Sequence, residues 1–236
     1  MLDRTRFELD GFGLLPSVLA AEACARLIEL VETAPPEAAA RRRRGGGVYA
    51  IRNLFAALPQ LRPLTLTSHL MGHIAAIVDE PLWLTRAILF DKHPRANWSV
   101  PWHQDTTIAV RQRREVRGFG PWSIKAGVVH VRPPARVLER MLTVRIHLDN
   151  CAADTGALQA VPGSHLAGLL DDDAMNACLA RTAPVTCACR AGDVLLMRPL
   201  LLHASAAGSR DSHRRVIHLE FASQPLPAGL EWASAE

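Results

Sequence analysis

Two side chains that can bind a metal, His103 and Asp105, stand one residue apart in the stretch Trp102-His103-Gln104-Asp105. In an extended strand such residues project to the same face, so both can contact one small ion. A lone histidine from a distant strand would complete a set of two imidazoles and one carboxylate. That set leaves the opposite metal positions open for substrate and O2, as non-heme Fe(II) oxygenases require. His203, which follows three leucines, is the candidate third ligand.

The His-x-Asp spacing is weak by itself, because a chain with ten histidines produces such matches by chance. A rival pair occurs at His147 and Asp149. A barrel whose first ligands lie on an early strand and whose last ligand lies near the end needs several strands between them. Far more chain separates Asp105 from His203 than separates Asp149 from His203, so we favour His103 and Asp105.

The motifs around these residues resemble the phytanoyl-CoA dioxygenase family of Fe(II)/2-oxoglutarate oxygenases. The resemblance spans roughly Gly11 to Phe221 and rests on several ordered motifs. They are Trp102-His103-Gln104-Asp105, Arg145-Ile146-His147-Leu148-Asp149-Asn150, Val161-Pro162-Gly163-Ser164-His165, Gly192-Asp193 before the apolar run to His203-Ala204-Ser205, and Arg214 on a new strand.

The resemblance implies Fe(II) as the metal, with 2-oxoglutarate and O2 as co-substrates. It implies that His103, Asp105 and His203 are the metal ligands and catalytic centre, that Arg214 anchors the distal carboxylate of 2-oxoglutarate, and that Ser205 is a second contact. Hydroxylation of a C–H bond, with release of succinate and CO2, is the implied reaction. The carboxylate of Asp105 argues against halogenation, since related halogenases lack it.

The residues themselves leave some of these roles open. An arginine that begins an apolar strand lies inside a barrel only if a carboxylate satisfies its guanidinium group. Arg214 fits that description and Arg215 points the other way, but a shift of one residue in register would exchange them. Ser205 can equally close a turn. Arg145 and His147 share one face and either line the cavity or form a cross-strand pair.

Substrate recognition is predicted in the segment from Arg111 to Arg140, which is too long for a hairpin loop. The residues assigned to substrate binding are Lys92, Trp122, Lys125, His130, Arg132 and Arg145. Their cationic groups are compatible with a small molecule that carries an anion. The identity of the substrate, including whether it is a coenzyme A thioester, stays open. Two alternatives are a cupin-like metal isomerase or hydrolase without co-substrate, and a non-catalytic jelly roll that binds a small molecule.

The elements that must position these residues follow a simple order. Helices are predicted from Ser17 to the prolines Pro35 and Pro36, over about Leu64 to Val78, and after Pro133. Strands are predicted at Trp83 to Asp91, around the metal pair, and at Ala126 to Val131, Met141 to Asp149, Ala157 to Val161, Val185 to Cys189, Val194 to Met197, Leu200 to His203 and Arg214 to Phe221. This pattern predicts a mainly β fold: a double-stranded β-helix, the cupin-like jelly-roll barrel, with N-terminal helices packed on one sheet.

Composition bounds the rest. The 236 residues are 49% hydrophobic and 21% charged, which predicts one globular domain over residues 1–236. The chain has no apolar run long enough for a membrane span and no signal-peptide core, so a cytoplasmic protein is expected, with reduced cysteines and Cys187 and Cys189 in the core. The net charge of +4 owes much to Arg41–Arg44, interpreted as a solvated, mobile loop. Neither nucleic acid nor membrane is a predicted partner, and the oligomeric state is open.

Overall fold

The computed structural model describes residues 2–34, 41–44, 47–208 and 213–234. Its helices are α1 (Arg4–Asp10), α2 (Ala21–Glu32), α3 (Leu54–Ala57), α4 (Leu61–Thr65), α5 (Ser68–Ala75), α6 (Ala135–Leu138) and α7 (Asp172–Arg181). Its strands are β1 (Phe12–Leu15), β2 (Arg41–Arg44), β3 (Gly47–Arg52), β4 (Trp83–Lys92), β5 (Val100–His103), β6 (Ile108–Val110), β7 (Trp122–Lys125), β8 (Val128–Val131), β9 (Met141–His147), β10 (Leu158–Ala160), β11 (Val185–Cys187), β12 (Val194–Met197), β13 (His203–Ser205) and β14 (Arg214–Ala222).

The strands form a large, a medium and a small sheet, all antiparallel. The order is β1-β12-β9-β14-β4-β3-β2 in the seven-stranded sheet, β11-β10-β13-β5 in the four-stranded sheet and β6-β8-β7 in the three-stranded sheet. The first two sheets face each other across a cavity. This architecture confirms the predicted mainly β, jelly-roll fold class. The prediction of a closed barrel is corrected, because hydrogen bonds do not join the described sheets edge to edge.

Alternation along the strands of the seven-stranded sheet separates an apolar outer face from a polar inner face. On β9, Leu142, Val144 and Ile146 are fully buried in the same apolar cluster as Leu27 of α2 and Ile74 of α5. The opposite parity places Arg145 inside. The N-terminal helices therefore pack on the outer face of this sheet, as predicted, and contribute no side chain to the cavity lining between the sheets.

Several predicted boundaries need correction. The single helix predicted over Leu64 to Val78 is two helices, because Thr67 leaves helical geometry and its side chain caps α5 by accepting a hydrogen bond from the backbone of Leu70. The predicted loop Arg41–Arg44 is strand β2, since backbone pairing with β3 does not depend on side-chain type. Pro35 and Pro36, predicted to end a helix, lie outside the described residues.

The later strands also shift. The strand predicted from Leu200 to His203 begins only at His203, because a turn closes between Arg198 and Leu201 (3.0 Å). The strand predicted from Ala126 begins at Val128, since Ala126 and Gly127 have positive φ and form the β7–β8 turn. None of the described helices is long and apolar enough to cross a membrane.

Arg215 fastens helix α2 to the large sheet, and its removal should destabilise the fold. It donates two hydrogen bonds of 2.8 Å to Asp149 and one of 2.6 Å to Glu32 at the end of α2. Because hydrogen bonds between charged, half-buried groups contribute more than neutral ones, Arg215→Ala should lower the free energy of unfolding by about 2 kcal/mol in urea titrations. The matched control is Arg26→Ala, which removes an exposed pair with Glu29. Equal effects of the two variants would contradict this role.

Candidate functional site

The three predicted metal ligands meet at one end of the cavity. His103 ends β5 and pairs directly with His203, the first residue of β13. Asp105 lies beyond the end of β5, where its backbone N–H donates to the carbonyl of Pro199 (2.9 Å). Asp105 oxygens lie 3.8 Å from His103 Nε2 and 3.9 Å from His203 Nε2, and the ligand atoms of all three residues lie within 4.8 Å of one another. The strand pleat is therefore not what places Asp105; the loop bonded to Pro199 does so.

Backbone carbonyls orient both imidazoles. His103 Nδ1 lies 2.9 Å from the carbonyl oxygen of Pro101, and His203 Nδ1 lies 2.8 Å from that of Leu201. A carbonyl oxygen only accepts, so each Nδ1 carries the hydrogen and each Nε2 presents a lone pair toward Asp105. This is the arrangement in which histidine binds a metal through one nitrogen while the other fixes the ring.

The electrostatics of the group also suit a cation. Burial alone would raise the pKa of Asp105, but His203, His218, His103 and Arg86 outweigh burial and lower it to about 2. Burial lowers the pKa of His203 to about 4, so its Nε2 is unprotonated at neutral pH. Asp105 Oδ2 is buried without a hydrogen-bond partner in the described chain. An anionic oxygen and two imidazole lone pairs that converge on one point fit a divalent metal ion such as Fe(II).

The rival pair is not brought together. Both oxygens of Asp149 accept hydrogen bonds from Arg215, and the closest of these contacts are 2.8 Å long. His147 has the same parity on β9 as Arg145, so it lies on the inner face of the sheet, whereas Asp149 contacts Arg215 on the outer face. His147 is fully buried, and neither of its ring nitrogens has a hydrogen-bond partner within the described ranges. Burial, reinforced by Arg145 and Arg214, lowers the pKa of His147 well below its ordinary value.

Three buried cations lie beside the triad. Arg214 points inward, only 4% exposed, and donates to the carbonyl of Gly156, while its Nε has no partner among the residues described. Lys92 Nζ donates to Ser205 Oγ (2.9 Å) and to the carbonyl of Ala206 (2.8 Å). Burial, with the charges of Arg214 and Arg145, lowers the pKa of Lys92 to about 7. Because these positively charged groups lie close together, an anion bound at this end of the cavity would be stabilised.

The parity of β14 separates the two adjacent arginines. Arg214 lines the cavity with Ser205, whereas Arg215 lies on the outer face against Asp149 and Glu32. Arg145 lines the cavity as well, and burial together with Arg214 lowers its pKa to about 10. Lys92, assigned to substrate from the sequence, lies at the Arg214 end of the cavity through its contact with Ser205.

The other predicted substrate residues divide into two groups. Lys125 and His130 share one face of the small sheet and interact electrostatically with Arg86 and Glu220 of the cavity. Trp122 lies on the opposite face, partly buried in a separate apolar cluster. Arg132 lines a separate surface cavity beside Asp171, Asp172 and Asp173. Lys125 and His130 thus lie near the charges of Arg86 and Glu220, but neither lines the cavity that holds the triad, and Trp122 and Arg132 lie elsewhere.

Sequence reasoning missed several cavity residues. With a polar or aromatic side chain these are Arg86, Phe90, Trp98, His218 and Glu220, and the aliphatic residues Ile88, Val100, Leu158 and Ala204 also line the cavity. A signal for three of them was present: Arg86, His218 and Glu220 are polar residues at alternate positions of otherwise apolar strands. Such positions point into a cavity when the opposite face packs on helices.

Comparison with known proteins agrees with this geometry. The family described as phytanoyl-CoA dioxygenase (PhyH) matches residues 7–216. No curated protein sequence matches the chain.

Three solved structures are similar over nearly the whole chain. AviO1 from Streptomyces viridochromogenes Tue57 is 29% identical, covers 96% of this chain and 99% of its own, and gives a TM-score of 0.67. The epimerase SnoN in complex with Fe3+, alpha ketoglutarate and nogalamycin RO is 20% identical, with 96% and 89% covered and a TM-score of 0.68. EctD from S. alaskensis with 2-oxoglutarate and 5-hydroxyectoine is 17% identical, with 93% and 74% covered and a TM-score of 0.73. The latter two support the fold.

The geometry makes metal binding by the triad testable without turnover. His103→Ala and His203→Ala should each weaken binding of Co(II), measured from its visible absorption bands, by more than about 100-fold, because each removes a direct ligand. His69→Ala, on the exposed side of α5, is the control and should bind Co(II) normally. If His147→Ala and Asp149→Ala abolished the bands and the triad variants did not, the rival pair would be the metal site.

Proposed function

The chain belongs to the phytanoyl-CoA dioxygenase family, and we propose that it is an Fe(II)- and 2-oxoglutarate-dependent dioxygenase that hydroxylates a C–H bond of a small-molecule substrate. The observation that carries the proposal is the convergence of a metal-binding triad and three buried cations on one cavity. Family membership and the triad support Fe(II), 2-oxoglutarate and O2 as the cofactors. The five described cysteines are unpaired, which fits a reaction in the reducing cytoplasm.

His103, Asp105 and His203 would hold the iron from one side. Bound Fe(II) and 2-oxoglutarate would activate O2, the oxidant, for attack on an unactivated C–H bond, with one oxygen atom entering succinate, the other entering the product, and CO2 released. The carbonyls of Pro101 and Leu201 keep both Nε2 lone pairs directed at the metal position. Pairing of β5 with β13 positions the two histidines, and the loop bonded to Pro199 positions Asp105.

Arg214 would bind the distal carboxylate of 2-oxoglutarate. Its guanidinium is buried and its Nε is open, so a carboxylate in the cavity can accept from a group that otherwise lacks part of its hydrogen bonding. Lys92 adds positive charge, and Ser205 holds Lys92 in place by accepting from its Nζ. The serine predicted as a co-substrate contact therefore also acts as the anchor of this lysine.

The presence of Asp105 supports hydroxylation over halogenation, because a halide would need the position that the carboxylate occupies. The related SnoN is named an epimerase, so the fate of the oxygen atom is the quantity to measure. A metal isomerase or hydrolase without co-substrate, or a non-catalytic binding protein, would have no use for the buried cations beside the triad.

The first test needs no substrate. Fe(II) and 2-oxoglutarate, added without oxygen to the folded protein, should give a visible metal-to-ligand charge-transfer band, and admission of 18O2 should give succinate with one labelled oxygen. Absence of both would sink the oxygenase assignment and favour the alternatives without co-substrate. With a substrate in hand, a product lacking 18O would replace hydroxylation by another outcome.

Arg214, and not Arg215, should control the affinity for 2-oxoglutarate. Truncating one partner of a buried guanidinium–carboxylate pair costs about 3–5 kcal/mol, so Arg214→Ala should raise the concentration of 2-oxoglutarate needed for the charge-transfer band by at least about 100-fold. Arg215→Ala, confirmed as folded by circular dichroism, should leave that concentration nearly unchanged. The reverse result would show that the outward arginine carries the co-substrate.

A further inference from the structure

A row of four polar side chains crosses the inner face of the seven-stranded sheet. Arg86 Nη1 donates to Glu220 Oε1 (2.9 Å), and His218 Nε2 lies 3.4 Å from the same oxygen. Arg145 Nη1 contacts His218 Nδ1 at 3.1 Å. All four line the cavity that holds the triad. Arg145, at one end of the row, is one of the buried cations beside the proposed 2-oxoglutarate site. The proposed metal and co-substrate give no role to Arg86 and Glu220 at the other end.

The row has one consistent protonation pattern. A guanidinium only donates, so His218 Nδ1 accepts from Arg145, and the hydrogen of a neutral His218 is on Nε2, facing Glu220. Burial would raise the pKa of Glu220, but Arg86 and His218 outweigh it and hold the pKa below its usual value. Glu220 is therefore an ionised acceptor whose charge Arg86 balances, inside a cavity wall.

The small sheet presents a matching set of groups from the other side. Lys125 and His130 share the sheet face of Val128 and Ala109, which line a cavity together with Arg86. Both also interact electrostatically with Arg86 and Glu220. His130 Nδ1 bonds the carbonyl of Val128 (3.0 Å), so its Nε2 is an acceptor, and this atom is buried without a partner in the described residues. Burial lowers the pKa of His130 to about 4, which keeps the ring neutral. Lys125 donates to Thr107 Oγ1 (3.1 Å).

Size limits what can bind here. The cavity around the triad has a volume of about 200 Å³ and must also accommodate 2-oxoglutarate. Arg86 also lines a second cavity of about 470 Å³ between the small sheet, α3 and the C-terminal residues Ala233 and Ser234. Arg86 therefore borders both cavities, so a substrate group bound beside Arg86 would lie next to each of them.

We propose that Arg86, Glu220, Lys125 and His130 form a subsite for a neutral, hydroxyl-rich substrate, which they hold by its hydroxyl groups beside the metal position. Hydroxyl groups both donate and accept, and the subsite offers two acceptors, Glu220 and His130 Nε2, beside two donors, Arg86 and Lys125. A substrate carboxylate would meet Glu220, and a long acyl chain would leave the buried Nε2 of His130 without a hydrogen-bond partner. This inference rests on the proposed function, because it assigns the substrate of the same cavity.

Binding to a form that cannot turn over tests the subsite. Protein loaded with Ni(II) and 2-oxoglutarate is titrated calorimetrically with neutral polyols (methyl α-D-glucopyranoside, methyl β-D-galactopyranoside and myo-inositol), with glucuronate and with butyryl-coenzyme A. At least one neutral polyol should bind, and more tightly than glucuronate or the thioester. Glu220→Gln and His130→Phe should each weaken that binding about tenfold or more, since the first replaces a charged acceptor oxygen by a donating amide NH2 and the second removes the Nε2 acceptor.

Controls separate the subsite from the fold. Both variants must still bind Ni(II) when the metal-free protein is titrated with it by calorimetry. Glu231→Gln, which alters an exposed pair with Arg111, must bind the polyol as tightly as the unaltered protein does. Tighter binding of glucuronate or of the thioester, no binding of any polyol, or polyol binding unaffected by both variants would overturn the inference. Failure of the proposed function would appear separately, as the absence of the Fe(II)–2-oxoglutarate charge-transfer band.

Discussion

The antiparallel pairing of β5 with β13 is the constraint on which the site depends. It sets His103 directly opposite His203, so that the two imidazole rings lie 4.2 Å apart between centroids. Each ring is then fixed by a carbonyl two residues before it, and the backbone bond from Asp105 to Pro199 brings the carboxylate alongside. Hydrogen bonds to backbone groups thus determine the positions of the three side chains, which interact only weakly with one another before a metal binds.

A second constraint is the two-faced character of the seven-stranded sheet. Its outer face is apolar and packs on the N-terminal helices, which frees the inner face from the task of forming a core. Charged residues can then be buried there as long as they find partners, and Arg86 with Glu220 is such a pair. Within the part of the chain that the structure describes, no carboxylate forms such a pair with Lys92, Arg145 or Arg214, and the proposed co-substrate would supply one.

These two constraints divide the cavity into regions with different electrostatics. The end near Arg214 carries an excess of positive charge and suits a dicarboxylate. At the end near Arg86 the guanidinium is paired with Glu220, and the proposed subsite adds Lys125 and the neutral imidazole of His130. A single polar row from Arg145 to Arg86 joins both ends through His218. The proposed subsite would thus separate a neutral substrate from the anionic co-substrate.

The sequence by itself determined the family, the mainly β class, the helices on one sheet and the parity that turns Arg214 inward and Arg215 outward, because these depend on local periodicity and on motifs that are contiguous in the chain. Only the tertiary structure decided that Trp122 and Arg132 face elsewhere, that Lys92 joins Ser205 and Arg214, and that Arg86, His218 and Glu220 line the cavity. These positions depend on pairing between strands that are distant in sequence and on the sheet face that each long loop covers. No local sequence pattern indicates either of them.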